Sequence, residues 1–287
     1  EDKPIYNKFT NTTDKTINAD VTYRAVTQEG AVKWTGSEEI TLAPKEIKET
    51  SINVDTDYCD LYTLYVDIKD EENGIDESFE RYDFAVVKTD PDGIKNENHY
   101  FAAHFARYFD TADEGVEVMA KTNTNGIRTE FGWPDVETSA TLGTFSYPAE
   151  HQRLHNLLKE NNLNLMAIFA YSLSAYTGGY MWLPETDDQI KRWSEAMEYI
   201  VTQIGDWCDK IEIWNEPNIA MFNGGTGGTS IDVRTPPEGY AKAAIAACEA
   251  AHRVNPDIEV GVMSLCGLTQ ENSFDFFRRA MSTGLYN

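Results

Sequence analysis

Hydrophobic and polar residues alternate one by one in short segments along the first 90 residues of the chain. Successive side chains of a β-strand point to opposite faces, so a period of two predicts strands. Turn residues such as Gly30 and Gly74 separate the segments. The predicted strands are residues 20–26, 31–35, 46–54, 61–68 and 78–87. Short strands at this spacing, with no helical period between them, predict an N-terminal β-sandwich over residues 1–90.

The pattern changes after residues 91–98, which read as a linker and include Pro91 and Gly93. Strands now alternate with helices, whose apolar residues recur every three or four positions. The predicted strands are 99–105, 127–131, 163–170, 211–215 and 258–263, and the predicted helices begin near residues 113, 148, 186, 235 and 273. Strand 163–170 is almost wholly apolar, as expected of a parallel strand covered on both faces. The fold class predicted is therefore multidomain, β plus α/β.

Five consecutive βα units over residues 99–287 predict the first part of a (β/α)₈ TIM barrel, or alternatively an open doubly wound sheet. Two helix starts carry capping signals. Thr186 with Gln189 forms a predicted capping box for the third helix, and Thr235 with Glu238 forms one for the fourth. The N-terminal sandwich resembles immunoglobulin-like or fibronectin-like modules.

The composition limits the partners of the chain. Its formal net charge is −24, so nucleic acid and acidic lipid surfaces would be repelled and a neutral substrate is favoured. The four cysteines lie far apart, which argues against a zinc site or a redox pair. No apolar run is long enough to span a membrane, and the chain starts without the basic and apolar regions of a signal peptide. That start suits a trimmed export product, so we expect a secreted or extracytoplasmic protein.

The most informative segment is the apolar strand 211–215, which ends in Trp214-Asn215-Glu216-Pro217. It places the carboxylate of Glu216 at the carboxyl end of a strand, where α/β barrels keep their chemistry, and Pro217 ends the strand. Retaining cleavage of a glycosidic bond uses two carboxyl groups about 5 to 5.5 Å apart, one as acid/base and the other as nucleophile. This motif predicts a glycosidase in which Glu216 acts on the bond. The chemistry requires neither a metal nor an organic cofactor.

Together with that motif, Gly126-Ile127-Arg128 followed by Trp133, and His104 after the first barrel strand, resemble clan A glycoside hydrolases, most closely families 39 and 5. The resemblance implies that Glu216 is the general acid/base and that Asn215 hydrogen-bonds the sugar 2-hydroxyl. It implies that Arg128 orients the nucleophile and that His104 lines the sugar site. The nucleophile of the clan is a glutamate at the end of strand seven, and we find no position for it here. Residues 99–287 are also fewer than the roughly 250 of a complete barrel, which favours a truncated enzyme.

Other residues are weaker candidates. Glu130 could face the sugar or even replace the nucleophile, although a salt bridge or a loop hydrogen bond is the favoured interpretation. Glu212 and Glu259 are interpreted as structural, and Asp135 and Glu137 as solvated loop acids. Aromatic rings bind the apolar faces of sugars, so the candidate sugar-binding rings are Trp133, Tyr171 and Trp182, with packing in the loops as the alternative. Trp214 points away from Asn215, so we expect it to pack.

Two readings compete with a glycosidase acting on a neutral, β-linked oligo- or polysaccharide. The first is a non-catalytic carbohydrate-binding or scaffolding protein, which the lack of a nucleophile favours. The second is an open α/β enzyme in which Glu216 and Glu130 face one pocket. A partial barrel would also leave a sheet edge open, through which the chain could associate with another polypeptide.

Overall fold

The structure, a computed structural model, describes residues 4–55, 59–86, 102–104, 112–122, 124–226, 228, 232–267 and 271–285. By its contacts the chain divides into two compact units, Glu1–Thr89 and Asp90–Asn287. This division falls next to the end of the predicted β-sandwich at residue 90. The predicted linker, residues 91–98, lies outside the described residues.

The first unit is antiparallel β-structure. Its strands are β1 (Ile5–Thr10), β2 (Ile17–Thr27), β3 (Val32–Leu42), β4 (Ile47–Ile52), β5 (Asp60–Asp70) and β6 (Ile75–Val86). One sheet has the order β3-β2-β5-β6, and β1 pairs with β4 in a second. Every second residue of β2 is buried, as its alternating sequence predicts. Phe9 of β1 belongs to the same apolar cluster as Val21 and Leu64 of the larger sheet.

The sequence predicted this unit incompletely. All five predicted strands overlap observed ones, but β1 was missed and β3 extends seven residues further than expected, to Leu42. The exposed half of β1 carries Tyr6, Lys8 and Thr10, so its hydrophobic alternation is weak. Strand β1 is positioned by its pairing with β4, in which Ile5 lies opposite Ile52. The immunoglobulin-like sandwich itself stays a prediction.

The second unit alternates strands and helices as predicted. Its elements are β7 (Ala102–His104), α1 (Ala112–Lys121), β8 (Gly126–Glu130), α2 (Trp133–Val136), α3 (Ala149–Glu160), β9 (Asn164–Phe169), α4 (Ser174–Thr177), α5 (Asp187–Ile204), β10 (Lys210–Ile213), a 3₁₀ turn (Ala220–Phe222), α6 (Pro237–Val254), β11 (Glu259–Gly261) and α7 (Glu271–Met281). The strands form one sheet in sequential order, β7-β8-β9-β10-β11, and every pair is parallel. This α/β arrangement confirms the coarse fold class, and all the carboxyl ends of the strands lie at one edge.

Small side chains let the two longest helices pack closely. The face of α6 that is buried carries six alanines, among them Ala243 and Ala247. Opposite them, Trp193 of α5 is fully buried and its indole N–H donates to the Ala243 carbonyl at 3.1 Å. The ring of Trp193 also packs against Phe169 at the end of β9, with centroids 4.0 Å apart. Helix α5 therefore anchors both its neighbour helix and the central strand.

The two predicted capping boxes had different outcomes. Thr186 caps α5, because its hydroxyl oxygen accepts the Gln189 N–H and the Gln189 side chain accepts the Thr186 N–H. This prediction is confirmed. The prediction for Thr235 is wrong, because α6 begins at Pro237 with Pro236 in the cap position. Proline suits the first turn of a helix, where its missing N–H costs nothing, and two prolines shift the start beyond the threonine. Thr235 instead donates its hydroxyl to Glu185 at 3.0 Å. No helix among the described residues is both long and apolar enough to cross a membrane.

A buried histidine lies on the inner face of α3. His155 is 1% exposed, is hydrogen-bonded through Nδ1 to the Tyr147 hydroxyl, and packs against Phe131 and Trp207. Burial, and secondarily the neighbouring His151, lowers the pKa of His155 from 6.5 to about 3. A neutral imidazole is thus part of the folded core, while in the unfolded chain the group takes up a proton at mildly acidic pH.

We expect His155 to make the protein less stable as pH falls from about 6.5 to about 3, because only the unfolded state binds a proton there. The loss amounts to about 1.4 kcal/mol for each pH unit. His155→Gln keeps an acceptor for Tyr147 and removes the titration, so its stability should fall less steeply with pH. Urea unfolding of both proteins between pH 6 and pH 4 measures the two slopes, and parallel slopes would contradict the assignment.

Gly132 marks the closest approach of two backbones. A Cβ at this position would lie 1.6 Å from the carbonyl oxygen of Ala170. A Cβ at Gly261 in β11 would meet nothing nearer than 3.7 Å. Glycine is therefore required at position 132 by the lack of space for a side chain. The backbone conformation does not require it, since any residue can adopt a φ of −120°.

Gly132→Ala should destabilise the protein by about 3 kcal/mol, the upper part of what overpacking costs, because two backbone segments must move apart. Gly261→Ala is the matched control and should change the free energy of unfolding by less than about 1 kcal/mol. Urea unfolding followed by tryptophan fluorescence reports on the second unit, which holds every tryptophan except Trp34. Equal stability of the two variants would show that the close approach is absent.

Candidate active site

The carboxyl edge of the parallel sheet gathers polar side chains around one guanidinium group. Arg128, on β8, donates through Nε to Glu212 of β10 at 2.9 Å, and its Nη2 also bonds to the same carboxylate. Nη2 further donates to Oδ1 of Asn215 at 3.1 Å and to Oγ of Ser264 at 3.4 Å. On the other side, Nη1 lies 3.1 Å from Nδ1 of His104, at the end of β7. We call these five residues the Arg128 cluster.

Electrostatic interactions keep the Arg128 side chain charged. Burial by itself would lower the pKa of Arg128, but the hydrogen bonds and the charge of Glu212 outweigh it and raise the pKa. The nearby charge of Glu130 acts in the same direction. Both partners of the ion pair are largely shielded, with side chains 22% and 14% exposed, so water screens the pair little. The structure therefore brings together His104, Arg128 and Asn215 from the predicted site.

Glu216 follows directly and adopts an uncommon backbone conformation. Its φ is +47°, and Trp214 two residues earlier has φ of +67°. Side chains other than glycine rarely occupy this left-handed region, so the surrounding contacts must hold it. The Glu216 N–H donates to the Ser264 carbonyl at 2.8 Å, and the Trp214 N–H donates to Phe169 at 3.1 Å. Among the described residues, no side chain forms an ion pair or hydrogen bond with the half-buried Glu216 carboxylate.

Trp214 packs, as its position on the strand predicted. Its side chain is fully buried, and its indole N–H donates to the Phe222 carbonyl at 2.7 Å. Its ring meets the edge of Tyr171, with centroids 5.3 Å apart. Tyr171 is itself only 5% exposed and also contacts Tyr180 and Phe222. The predicted sugar contact of Tyr171 is thus restricted to a small exposed part of its side chain.

The prediction for Trp133 is corrected by the structure. Its side chain is fully buried and its indole N–H donates to Glu137 at 2.7 Å, while the ring packs against Tyr176 and Trp193. No face of this ring is open to a sugar. Trp133 is the first residue of the short helix α2, in the connection that follows β8, and its side chain packs in the core below that connection.

Glu137 and Asp135 were predicted to be solvated, and this is wrong. Glu137 is fully buried and forms two hydrogen bonds of 2.8 and 2.9 Å with the guanidinium group of Arg192 on α5. Its carboxylate also accepts the Gly143 N–H at 2.6 Å. Burial alone would raise the pKa of Glu137, but these hydrogen bonds outweigh it and lower the pKa. Asp135 accepts the Gly132 N–H at 2.7 Å.

Trp182 has the surroundings of a packing residue. The guanidinium carbon of Arg234 lies 4.3 Å from its ring centroid, and Arg234 in turn bonds to both carboxylate oxygens of Glu185. A Cβ at Gly178 or Gly224 would come within 2.8 Å of ring atoms of Trp182, so both loops need glycine to approach it. Trp182 therefore joins the loop after β9 to the loop after β10. Its predicted sugar contact is not required to explain its position.

The structure identifies one residue of the cluster that the sequence did not. Ser264 joins the Arg128 cluster, although serine after a short strand is no signal by itself. Glu130 is half-buried at the end of β8 and adds negative charge near Arg128. Glu212 has the structural role predicted for it. Within the described part of the chain, no group of three or more His, Cys, Asp or Glu side chains could hold a metal ion.

Removing one partner of the shielded Arg128–Glu212 pair should be costly. We expect Arg128→Met and Glu212→Gln each to cost about 3 kcal/mol of stability, because each leaves a polar partner unpaired. The double variant should cost much less than the sum, with a coupling energy of about 2 kcal/mol. The exposed pair Arg253–Glu198 is the control and should couple by less than about 1 kcal/mol. Urea unfolding gives both cycles, and equal coupling energies would contradict the predicted difference.

No model of a known protein family matches the sequence, and no curated protein matches it. Among solved structures, the chain is similar to a family 39 glycoside hydrolase from the gut symbiont Bacteroides cellulosilyticus WH2, with a TM-score of 0.60 and 19% identity over 90% of this chain and 48% of that one. It is also similar to a family 1 β-glucosidase from Thermotoga maritima, with a TM-score of 0.46 and 13% identity over 61% of this chain and 50% of that one. The chain thus spans about half the length of these proteins. The first likeness shows that the chain shares its fold with that glycoside hydrolase over the matched part.

Proposed function

We propose that the second unit is a glycoside hydrolase module in which Glu216 is the general acid/base. The observation that carries this proposal is the position of Glu216 at the carboxyl edge of the sheet, beside the Arg128 cluster, with a carboxylate that no described side chain engages. An acid in this place can protonate a leaving oxygen and later activate water. The fold shared with a family 39 glycoside hydrolase supports the same chemistry.

The other residues have roles that follow from their contacts. Asn215 accepts from Arg128 through Oδ1, which directs its amide N–H groups elsewhere and leaves them able to bind a sugar hydroxyl. Arg128 supplies positive charge close to the site where a second carboxylate would work, and His104 is held against it. Glu130 adds a hydrogen-bond acceptor at the same edge. Trp182 and the small exposed part of Tyr171 offer aromatic surface in the loop that follows β9.

In the proposed retaining mechanism, a nucleophilic carboxylate attacks the anomeric carbon while Glu216 gives its proton to the leaving oxygen. Water then hydrolyses the glycosyl–enzyme bond, with Glu216 as base. Glu212 is committed to its ion pair with Arg128, so it is a poor nucleophile. The proposal therefore assigns the nucleophile to a residue outside this chain, contributed by further βα units or by an associated polypeptide at the open sheet edge.

The proposed substrate is a neutral, β-linked oligo- or polysaccharide. The formal charge of −24 opposes the approach of polyanions, whereas a neutral sugar pays no such penalty. An extracytoplasmic location, an immunoglobulin-like first unit, and the absence of any cofactor requirement belong to the same proposal.

A second candidate is a carbohydrate-binding protein that does not cleave its ligand. The ion pair of Glu212 favours it, because this pair removes one of the acids that could otherwise complete a catalytic couple. Both candidates use the same edge of the sheet and the same neutral sugars. They differ in whether a bond is broken.

Glu216→Gln should lower kcat/KM of the full polypeptide on unactivated β-oligosaccharides by about 10² to 10⁴-fold, the usual contribution of a general acid. The matched control is Glu259→Gln, at the opposite end of the sheet, where a 73% exposed carboxylate contacts Lys210. It should retain wild-type turnover. Release of reducing sugar measures turnover, and calorimetric titration with the same oligosaccharide measures binding.

Three results distinguish the candidates. Loss of turnover in Glu216→Gln, with turnover retained in Glu259→Gln, supports the glycosidase. Unchanged turnover in that variant refutes the role of Glu216. Binding without turnover by the wild-type protein selects the carbohydrate-binding candidate.

A further inference from the structure

The loop that carries Glu216 is held by side-chain amides. Between β10 and α6 the described residues contain one short 3₁₀ turn and no strand, yet Asn218 and Asn223 are 2% and 0% exposed. A buried amide must satisfy its hydrogen bonds within the protein, so such a residue fixes the backbone around it. Both amides find several backbone partners.

Asn218 forms a two-point contact with one residue of the neighbouring loop. The Cys266 N–H donates to Asn218 Oδ1 at 2.9 Å, and Asn218 Nδ2 donates to the Cys266 carbonyl at 2.8 Å. Asn218 Nδ2 also donates to Oγ of Ser273 on α7 at 2.9 Å, and that hydroxyl donates to the Cys266 carbonyl at 2.8 Å. The side-chain amide thus does what a paired strand would do, and it links the loops after β10 and β11 to α7.

This contact lies next to the one that holds Glu216. The Glu216 N–H donates to the Ser264 carbonyl, and Asn218 bonds to Cys266. Residues 216 and 218 of one loop thus pair with residues 264 and 266 of the other. Glu216 and Met263 both have left-handed backbones, with φ of +47° and +66°. Such conformations persist only when their surroundings fix them. The Asn218 contact supplies part of that restraint from two residues away.

Asn223 restrains the far end of the same loop. Its Nδ2 donates to the Pro217 carbonyl at 2.7 Å and to the Thr235 carbonyl at 2.8 Å, and its Oδ1 accepts the Thr235 N–H at 2.9 Å. Pro217 is therefore tied toward α6 while Asn218 is tied toward α7. The two anchors lie at adjacent positions directly after Glu216.

We propose that Asn218 is a positioning residue that fixes the direction of the Glu216 side chain through its contacts with Cys266 and Ser273. The proposal rests on the role proposed above for Glu216 as general acid. A misplaced acid impairs proton transfer to the leaving oxygen while leaving the rest of the sugar site in place. The loss of kcat/KM is then largest for substrates whose leaving groups need protonation.

The test compares Asn218→Ala with Asn255→Ala. Asn255 makes the same kinds of contact at the other end of the sheet, because its Nδ2 donates to Gly205 and its Oδ1 accepts the Asp257 N–H. Hydrogen exchange of the Glu216 amide is the first measurement and needs no activity. We expect about tenfold faster exchange in Asn218→Ala and no change in Asn255→Ala.

The second measurement is kcat/KM of the full polypeptide, which includes the nucleophile, on two substrates of the same sugar. Asn218→Ala should lose about 10- to 100-fold on an alkyl β-glycoside, and less than about threefold on the 2,4-dinitrophenyl β-glycoside, whose leaving group needs no proton. A fold defect would lower both equally, because it reduces only the amount of active protein. Ser273→Ala should give a smaller effect of the same kind, and it provides the test if Asn218→Ala does not fold.

The outcomes separate this proposal from the function on which it rests. Unchanged Glu216 exchange in a folded Asn218→Ala protein overturns the positioning role. An equal loss on both substrates also overturns it. If the wild-type full polypeptide cleaves neither glycoside, the proposed function fails, and hydrogen exchange alone decides whether Asn218 fixes Glu216.

Discussion

One guanidinium group holds together the carboxyl edge of the parallel sheet in the second unit. Arg128 lies near the end of β8. It contacts His104 at the end of β7, Glu212 and Asn215 around the end of β10, and Ser264 after β11. A shielded cation requires partners on all sides, because an unpaired charge in a partly dry site is costly. The strand ends therefore have one favourable arrangement, and the backbone turn that presents Glu216 starts from it.

Polar side chains extend this principle into the loops. Glu137 ties the loop after β8 to α5 through Arg192, and Arg234 covers Trp182 where two loops meet. Asn218 joins the loops after β10 and β11. Catalytic and binding groups commonly lie on loops that a rigid scaffold positions, and their precision depends on such supporting contacts. Here the supporting groups are buried ions and amides, so the loops are fixed without regular secondary structure.

The sequence predicted what depends on periodicity. The apolar strand near 163–170 and helix α5 with its Thr186 cap were found because their patterns repeat over many residues. The sequence prediction failed where a single long-range contact determines the surroundings of a side chain. Glu137 sits in a polar loop, and nothing local distinguishes it from a solvated acid, since its partner Arg192 lies 55 positions away. For Trp133 the sequence left sugar binding and packing both open, whereas Glu216 stood out because it ends a strand.

The most direct test of the account is a crystal structure of the full polypeptide carrying Glu216→Gln with an uncleaved β-linked oligosaccharide. The account predicts that the glycosidic oxygen lies within about 3 Å of the side-chain amide at position 216. It also predicts that a sugar hydroxyl is bound by Asn215, with the Arg128 cluster unchanged beneath the ring. A sugar bound away from the carboxyl edge of the sheet, with residue 216 out of reach, would contradict it.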